Sequence, residues 1–292
     1  MLTTAEILKK VRELDIKSKR LTRHLFTGEY HSAFKGRGMS FREVREYAAG
    51  DDIRFIDWNV SARFNHPFSK LFEEERELTV LLLVDVSASS LFGTVHSRKK
   101  DLITEICAVL AFSAVNNQDK VGVVFFSDRV EGYIPPKKGR EHVLFIVRRL
   151  LTIEPKHRGT SLGEVIRFFN HTARQKSIVF VLSDFLDGNF DDALKVAGKK
   201  HDIIGIKVYD RMDMQLPQMG VIEAEDLETG GRHWVDTDDY LVRTNYQQYF
   251  FNQTELCKSI FQKAGCDLLH LRTDEDYVKI LQRFFVGRHR PG

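Results

Sequence analysis

The chain has 292 residues, 42% of them hydrophobic and 29% charged, with a formal net charge of +3. This leaves room for one large α/β domain or two ordinary ones in a soluble globular protein, and the charge is too small to imply nucleic acid or an anionic membrane as partner. Three cysteines, Cys107, Cys257 and Cys266, lack C-x-x-C spacing, the N-terminus does not resemble a signal peptide, and no run approaches the ~20 apolar residues of a membrane span. The expectation is a cytoplasmic protein without a disulfide framework, sulfur-bound zinc or stable membrane insertion.

Thr3-Thr-Ala-Glu6 reads as a capping box opening a helix, with Ile7, Val11, Leu14, Leu21 and Leu25 at helical spacing on one face. The opposite face is basic, and the expectation is a helix packed on its own domain with that face solvated. The segment from Gly36 to Arg63 mixes close-set glycines, alternating charge and scattered aromatics. It suits neither a clean helix nor a repeating strand. Asp51, Asp52 and Asp57 lie near Arg42, Arg45, Arg54 and Arg63, so ion pairs are expected. Those pairs and Trp58 suggest an ordered cap packed on the following domain.

From Thr79 to Val84 runs an unbroken apolar, β-branched-rich stretch, typical of a parallel strand buried on both faces. Polarity then arrives abruptly as Asp85, Ser87 and Ser89. Strand and helix patterns alternate from there: a helix over 97–117, a strand over 120–127, a short edge strand over 130–134 ended by Pro135-Pro136, and a helix over 141–151. The loop Lys156-His-Arg-Gly-Thr-Ser161 leads into a helix over 162–173. A second apolar strand over 177–182 ends in Ser183-Asp184. A helix over 191–198 and a strand over 202–209 follow, then a hairpin between 221 and 235 turning at Glu228-Thr-Gly-Gly231. The chain closes with a helix over 238–264, a strand over 266–271 and a helix over 274–285. The fold class expected is α/β: a doubly wound, mostly parallel sheet with helices on both faces, preceded by the N-terminal helix and an irregular cap. The domain boundary falls between 1–77 and 78–286.

Two strands thus end in an Asp, and the loop between them carries Gly159-Thr160. One carboxylate and two hydroxyls at the first strand end form an oxygen-only surface that suits Mg²⁺ rather than zinc or copper. The order Asp-x-Ser-x-Ser, then Gly-Thr, then Ser-Asp resembles the metal-ion-dependent adhesion site of von Willebrand factor A domains. Carried over residue by residue, that resemblance implies Mg²⁺ (or Mn²⁺) at Asp85, Ser87, Ser89, Thr160 and Asp184, with a partner's Asp or Glu as the remaining ligand. The upstream segment Gly36-Arg-Gly-Met-Ser-Phe, Arg45-Glu-Tyr, Gly50-Asp-Asp-Ile-Arg, Ile56-Asp-Trp and Ser61-Ala-Arg63 resembles the signature of the bacterial "domain of unknown function 58" family. This implies an A-type domain working with a MoxR-type AAA+ ATPase or a substrate it remodels. Many members of that family begin with transmembrane helices; this sequence opens directly on the helical pattern from Thr3, so membrane attachment is not expected.

In the resembling site the two Asp hold the ion directly or through water. Where they act through water, three neutral hydroxyls leave a divalent ion underneutralised and open to an outside carboxylate, so the expectation is a non-enzymatic, metal-dependent protein-interaction module. The enzymatic alternative is an intracellular Mg²⁺-dependent, phosphatase-like hydrolase, with a strand-end Asp as nucleophile. That chemistry wants a second carboxylate two residues on, where Ser87 stands. No G-x-G-x-x-G or Walker A motif follows a strand. His157 beside the Thr160 loop has no nucleophile paired with it. A strand-end Asp adds little to a core, so Asp184→Ala is expected to change stability only modestly.

Overall fold

The structure, a computed structural model, describes residues 4–25, 40–48, 51–73, 78–92, 99–157, 159–226 and 230–288. Thr3 of the capping box, the side chains of Leu21 and Leu25, the glycines at 36 and 38 and the hairpin tip at 228–229 lie outside them. The chain divides into two compact units, residues 35–78 and the remainder. Helix α1 (Thr4–Leu25) goes with the remainder, not with the signature segment that adjoins it in sequence. The reason is its buried face. Val11 and Leu14 are covered, together with Asp15 and Ser18, while Ile16 on the other side is exposed. Arg140 pairs with the buried Asp15, and Lys10 and Lys17 reach Asp101 and Glu105. Part of the basic face is therefore paired.

The smaller unit is more regular than its sequence suggests. Strand β1 (Ser40–Glu46) runs antiparallel to β2 (Phe68–Glu73), with α2 (Trp58–Phe64) between them. The acidic residues act as caps as much as ion-pair partners. Asp57 accepts the N–H groups of Asn59 and Val60 at the start of α2 and pairs with Lys70 at 3.4 Å, a lysine where an arginine was expected. Asp52 accepts from the backbone and guanidinium of Arg54, and Asp51 pairs with Arg45 at 2.7 Å. Trp58 is 71% exposed.

The larger unit continues through β3 (Thr79–Asp85), α3 (Lys99–Asn116), β4 (Lys120–Phe126), β5 (Val130–Lys137), α4 (Arg140–Thr152), α5 (Leu162–Thr172), β6 (Ile178–Ser183), α6 (Asp191–Gly198), β7 (Asp202–Tyr209), α7 (Arg211–Met214), β8 (Val221–Glu225), β9 (Arg232–Asp236), α8 (Tyr240–Ala264), β10 (Asp267–Arg272) and α9 (Tyr277–Arg288). The expected hairpin is β8–β9, and α7 is a short turn of helix that the periodicity did not mark.

Six strands form one sheet in the order β10-β7-β6-β3-β4-β5, all parallel except β5. Strand β5 does not stop at Pro135-Pro136 but runs through both. It can do so because it is an edge strand, where a missing N–H leaves no ladder partner unsatisfied. Helices cover both faces. Leu81, Leu83, Val179 and Val181 meet α5, α6 and α8, whereas Phe180 points the other way, its ring 6.4 Å from Phe285 of α9. Successive side chains of a strand face opposite ways, so strands buried on both faces read as continuous apolar runs. The chain steps outward from β3 to β4 and β5, then returns to pair β6 on the other side of β3. In such sheets a crevice opens beyond the carboxyl ends of the strands where the winding reverses, here β3 and β6.

Candidate metal centre

Beyond the end of β3 the backbone turns sharply. Asp85, buried, accepts the Ser87 N–H through Oδ1 at 2.9 Å and the Ser183 hydroxyl through Oδ2 at 2.6 Å. Val86 N–H is held by Phe126 O of β4 at 2.8 Å, and Ser90 donates its hydroxyl to Ser87 O. These bonds start a short 3₁₀ turn at Ala88–Leu91 and bring the hydroxyls of Ser87 and Ser89 to 3.1 Å of each other. Ser87 is fully buried, and Ser89 faces a cavity of about 550 Å³.

Thr160 lines the same cavity. Its loop is fixed from two sides. Ser161 N–H donates to Ser127 O at the end of β4, and Leu162 N–H donates to Asp187 Oδ2 beyond the end of β6. Further back, Glu131 accepts from the Lys156 and His157 N–H groups and from Ser127 Oγ. His157 lies 4.0 Å from Asp128, half exposed.

Asp184, at the end of β6, is buried beside Asp85. The five residues selected by sequence therefore gather at one end of the sheet: Asp85, Ser87 and Asp184 buried, Ser89 and Thr160 at the cavity wall. Burial, and then the neighbouring Asp184 charge, push the Asp85 carboxyl up from its ordinary value. Two carboxylates crowded into a buried place, ringed by hydroxyls, form a hard all-oxygen set that a small divalent cation fits. Among the described residues no three His, Cys, Asp or Glu side chains are grouped to hold a metal, so any such site here depends on the hydroxyls.

Two lysines complete the electrostatics. Lys99, 2% exposed, places Nζ 3.4 Å from Asp184 Oδ2 and 3.0 Å from Asp213 Oδ2. Burial opposes its charge, but Asp184 and Asp213 outweigh that and hold Lys99 above the usual lysine range. Lys207, 1% exposed, donates to the main-chain oxygen of Asp184, and burial pulls it below the usual range. Asp184 is therefore one member of a buried ion pair, and removing it leaves Lys99 to Asp213 alone. Its loss is not the surface-like change expected from sequence, because it removes one of the two carboxylates that offset a buried ammonium.

Sequence reasoning missed Ser183 as the partner of Asp85, and missed both lysines. Lys207 had a visible signal, a single charge inside the apolar run Ile203-Ile-Gly-Ile-Lys-Val208. Lys99 had none, since it sits in the charged run Arg98-Lys-Lys-Asp101, which reads as a solvated surface.

Residues 43–255 match the family described as "Protein of unknown function DUF58". An uncharacterized protein of Mycobacterium bovis is 28% identical over 283 residues, covering 96% of this chain and 89% of its own length. An uncharacterized protein of Mycobacterium tuberculosis matches to the same extent. Among solved structures, an aerotolerance-related membrane protein from Bacteroides fragilis superposes with a TM-score of 0.52 at 16% identity, over 73% of this chain and 98% of that one. That likeness concerns the fold. No described helix of this chain is long and apolar enough to cross a membrane.

Proposed function

The chain belongs to the DUF58 family, and from that premise we propose that it is a non-enzymatic, Mg²⁺-dependent protein-interaction module with a von Willebrand factor A-like domain. One observation carries this reading: Asp85, Ser87, Ser89, Thr160 and Asp184 come from three separate loops and meet where the winding of the sheet reverses, beside an open cavity. Asp85, Ser87, Ser89, Thr160 and Asp184 would hold the Mg²⁺ or Mn²⁺ ion. The ion, when bound, supplies an electrophilic position for a carboxylate from outside.

The chain's own residues set the terms of binding. Ser183 and the Ser87 N–H fix the orientation of Asp85. The paired anchors of the Thr160 loop, at Ser127 and Asp187, hold the residue in place at the cavity wall before anything binds. The cavity is lined by Phe92, Leu186, Tyr246 and Tyr249 as well as by polar groups, which suits a peptide side chain entering with a carboxylate at its tip. The acidic ligand is assigned to a MoxR-type AAA+ ATPase, or a substrate it remodels, in the cytoplasm. This assignment rests on the family resemblance.

Ser89→Ala and Thr160→Ala are the cleanest probes, because both residues line the cavity and neither is fully buried. Binding of the purified MoxR-type ATPase should require Mg²⁺, be lost in chelator, and fall sharply in either variant. Binding that survives chelator and both substitutions means that the interaction uses another face.

A further inference from the structure

A lysine buried to 2% exposure in the wall of a cation site is an unusual expenditure, because an ammonium sheds its hydration there and must be matched by carboxylates. Lys99 is matched twice, by Asp184 at the end of β6 and by Asp213 in α7. Only Asp184 belongs to the candidate metal ligands. Asp213 stands outside them, lines the cavity, and is fixed by its own backbone bond, accepting the Asp210 N–H at 2.7 Å.

We infer that Lys99 is a tethered counter-cation that competes with the divalent metal for Asp184, with Asp213 as the carboxylate that retains the ammonium when the metal takes Asp184. The inference rests on the metal-centre reading above. Without metal, Lys99 neutralises one of the two crowded carboxylates and keeps the end of the sheet from flying apart electrostatically. With metal, two positive charges cannot share one carboxylate a few ångströms apart at low dielectric without repulsion. The ammonium then shifts its weight to Asp213. The longer of its two contacts, 3.4 Å against 3.0 Å, is already the one to Asp184.

The same arrangement links metal occupancy to the cavity wall. Met212, next to Asp213 in α7, accepts the Tyr246 hydroxyl through its main-chain oxygen at 3.0 Å, and Tyr246 lines the cavity. Lys99 itself lies 5.7 Å from the ring of Phe92, another lining residue. A change in the Lys99–Asp213 pair therefore bears on the surface that a partner meets.

The test is Mn²⁺ titration calorimetry on the full chain carrying Lys99→Met, Asp213→Asn, both substitutions, or neither. Lys99→Met removes the competitor at near-constant volume and should tighten Mn²⁺ by about tenfold or more. Asp213→Asn keeps the backbone acceptor but not the charge, and should weaken Mn²⁺ several-fold. In the Lys99→Met background Asp213→Asn should have little further effect, since no ammonium remains to be retained. Should Lys99→Met not fold, Lys99→Gln is the replacement, and circular dichroism confirms its fold first. Affinity unchanged or weakened by loss of Lys99 overturns the inference and leaves the metal centre standing. An equal loss from Asp213→Asn in both backgrounds also overturns it, because Asp213 then acts only as a distant charge. Mn²⁺ uptake by none of the four proteins overturns the metal centre itself.

Discussion

Ser183, the last residue of β6, donates its hydroxyl hydrogen to Asp85, the last residue of β3, at 2.6 Å. The bond spans the gap between the strands at which the winding of the sheet reverses, and it sets which way the Asp85 carboxyl points. The same Ser183 oxygen accepts the Phe185 N–H at 3.2 Å, where the backbone takes a positive φ of 51°. Ser183→Ala removes both roles inside a buried network. Urea unfolding should show a loss of about 1–3 kcal/mol, the cost of leaving buried polar groups unsatisfied. A change within a few tenths of that scale would mean that another group holds Asp85.

The close approach of α8 to the sheet makes a second prediction. Gly205 in β7 has no room for a methyl group: a Cβ there would lie 2.4 Å from the Phe261 ring and 2.9 Å from Leu268. Phe261 also packs edge-on against Phe185, at 5.3 Å between ring centres, so it has little freedom to retreat. Gly205→Ala should cost at least about 1–3 kcal/mol by overpacking, read from the unfolding midpoint. Wild-type stability in this variant would show that α8 is looser than described.

Stability should also depend on pH through His201. Its ring is buried, accepts the Ser177 N–H through Nδ1 at 3.2 Å, and lies 4.6 Å from the ring of Phe169. Burial, with Lys200 nearby, lowers it from 6.5 to about 4. The unfolded chain therefore takes up a proton that the fold refuses. Above about pH 6.5 the ring is neutral in both states and costs nothing; as the pH falls from 6.5 towards 4 the fold loses stability, by roughly 3 kcal/mol at the acid end. His201→Gln, which keeps an acceptor for Ser177, should flatten the pH profile between 6.5 and 4. An unchanged profile would assign the acid sensitivity to other groups.

Much of this was legible in the sequence, for definite reasons. Strands β3, β4, β6 and β7 are buried on both faces, so each reads as an apolar run, interrupted in β7 by Lys207, and the polar residues at the ends of β3 and β6 stand out against it. That contrast is what exposed Asp85, Ser87, Ser89 and Asp184. Strand β1 was not legible, because Ser40-Phe-Arg-Glu-Val-Arg-Glu46 is too charged to show an apolar face and its pairing with β2 is set by a partner over 20 residues away. The edge position of β5 was read from its sequence, but the strand continues through Pro135-Pro136 instead of ending there, because an edge strand tolerates the missing N–H groups. The burial of Lys99 depends on Asp184 and Asp213, each more than 80 positions distant. Charge pairs of that kind come from topology.

Whether these strand-end oxygens bind a divalent cation is decided by titrating the full chain with Mg²⁺ or Mn²⁺, beside Asp85→Ala. Asp85 lies at the centre of the group, bonded to Ser87 and Ser183 and crowded by Asp184. The wild type should take up one ion of either metal, and Asp85→Ala should lose that uptake while retaining the fold, since the apolar strands supply the core. Equal uptake by the two proteins, or none by the wild type, would mean that Asp85 and its neighbours do not form a cation site.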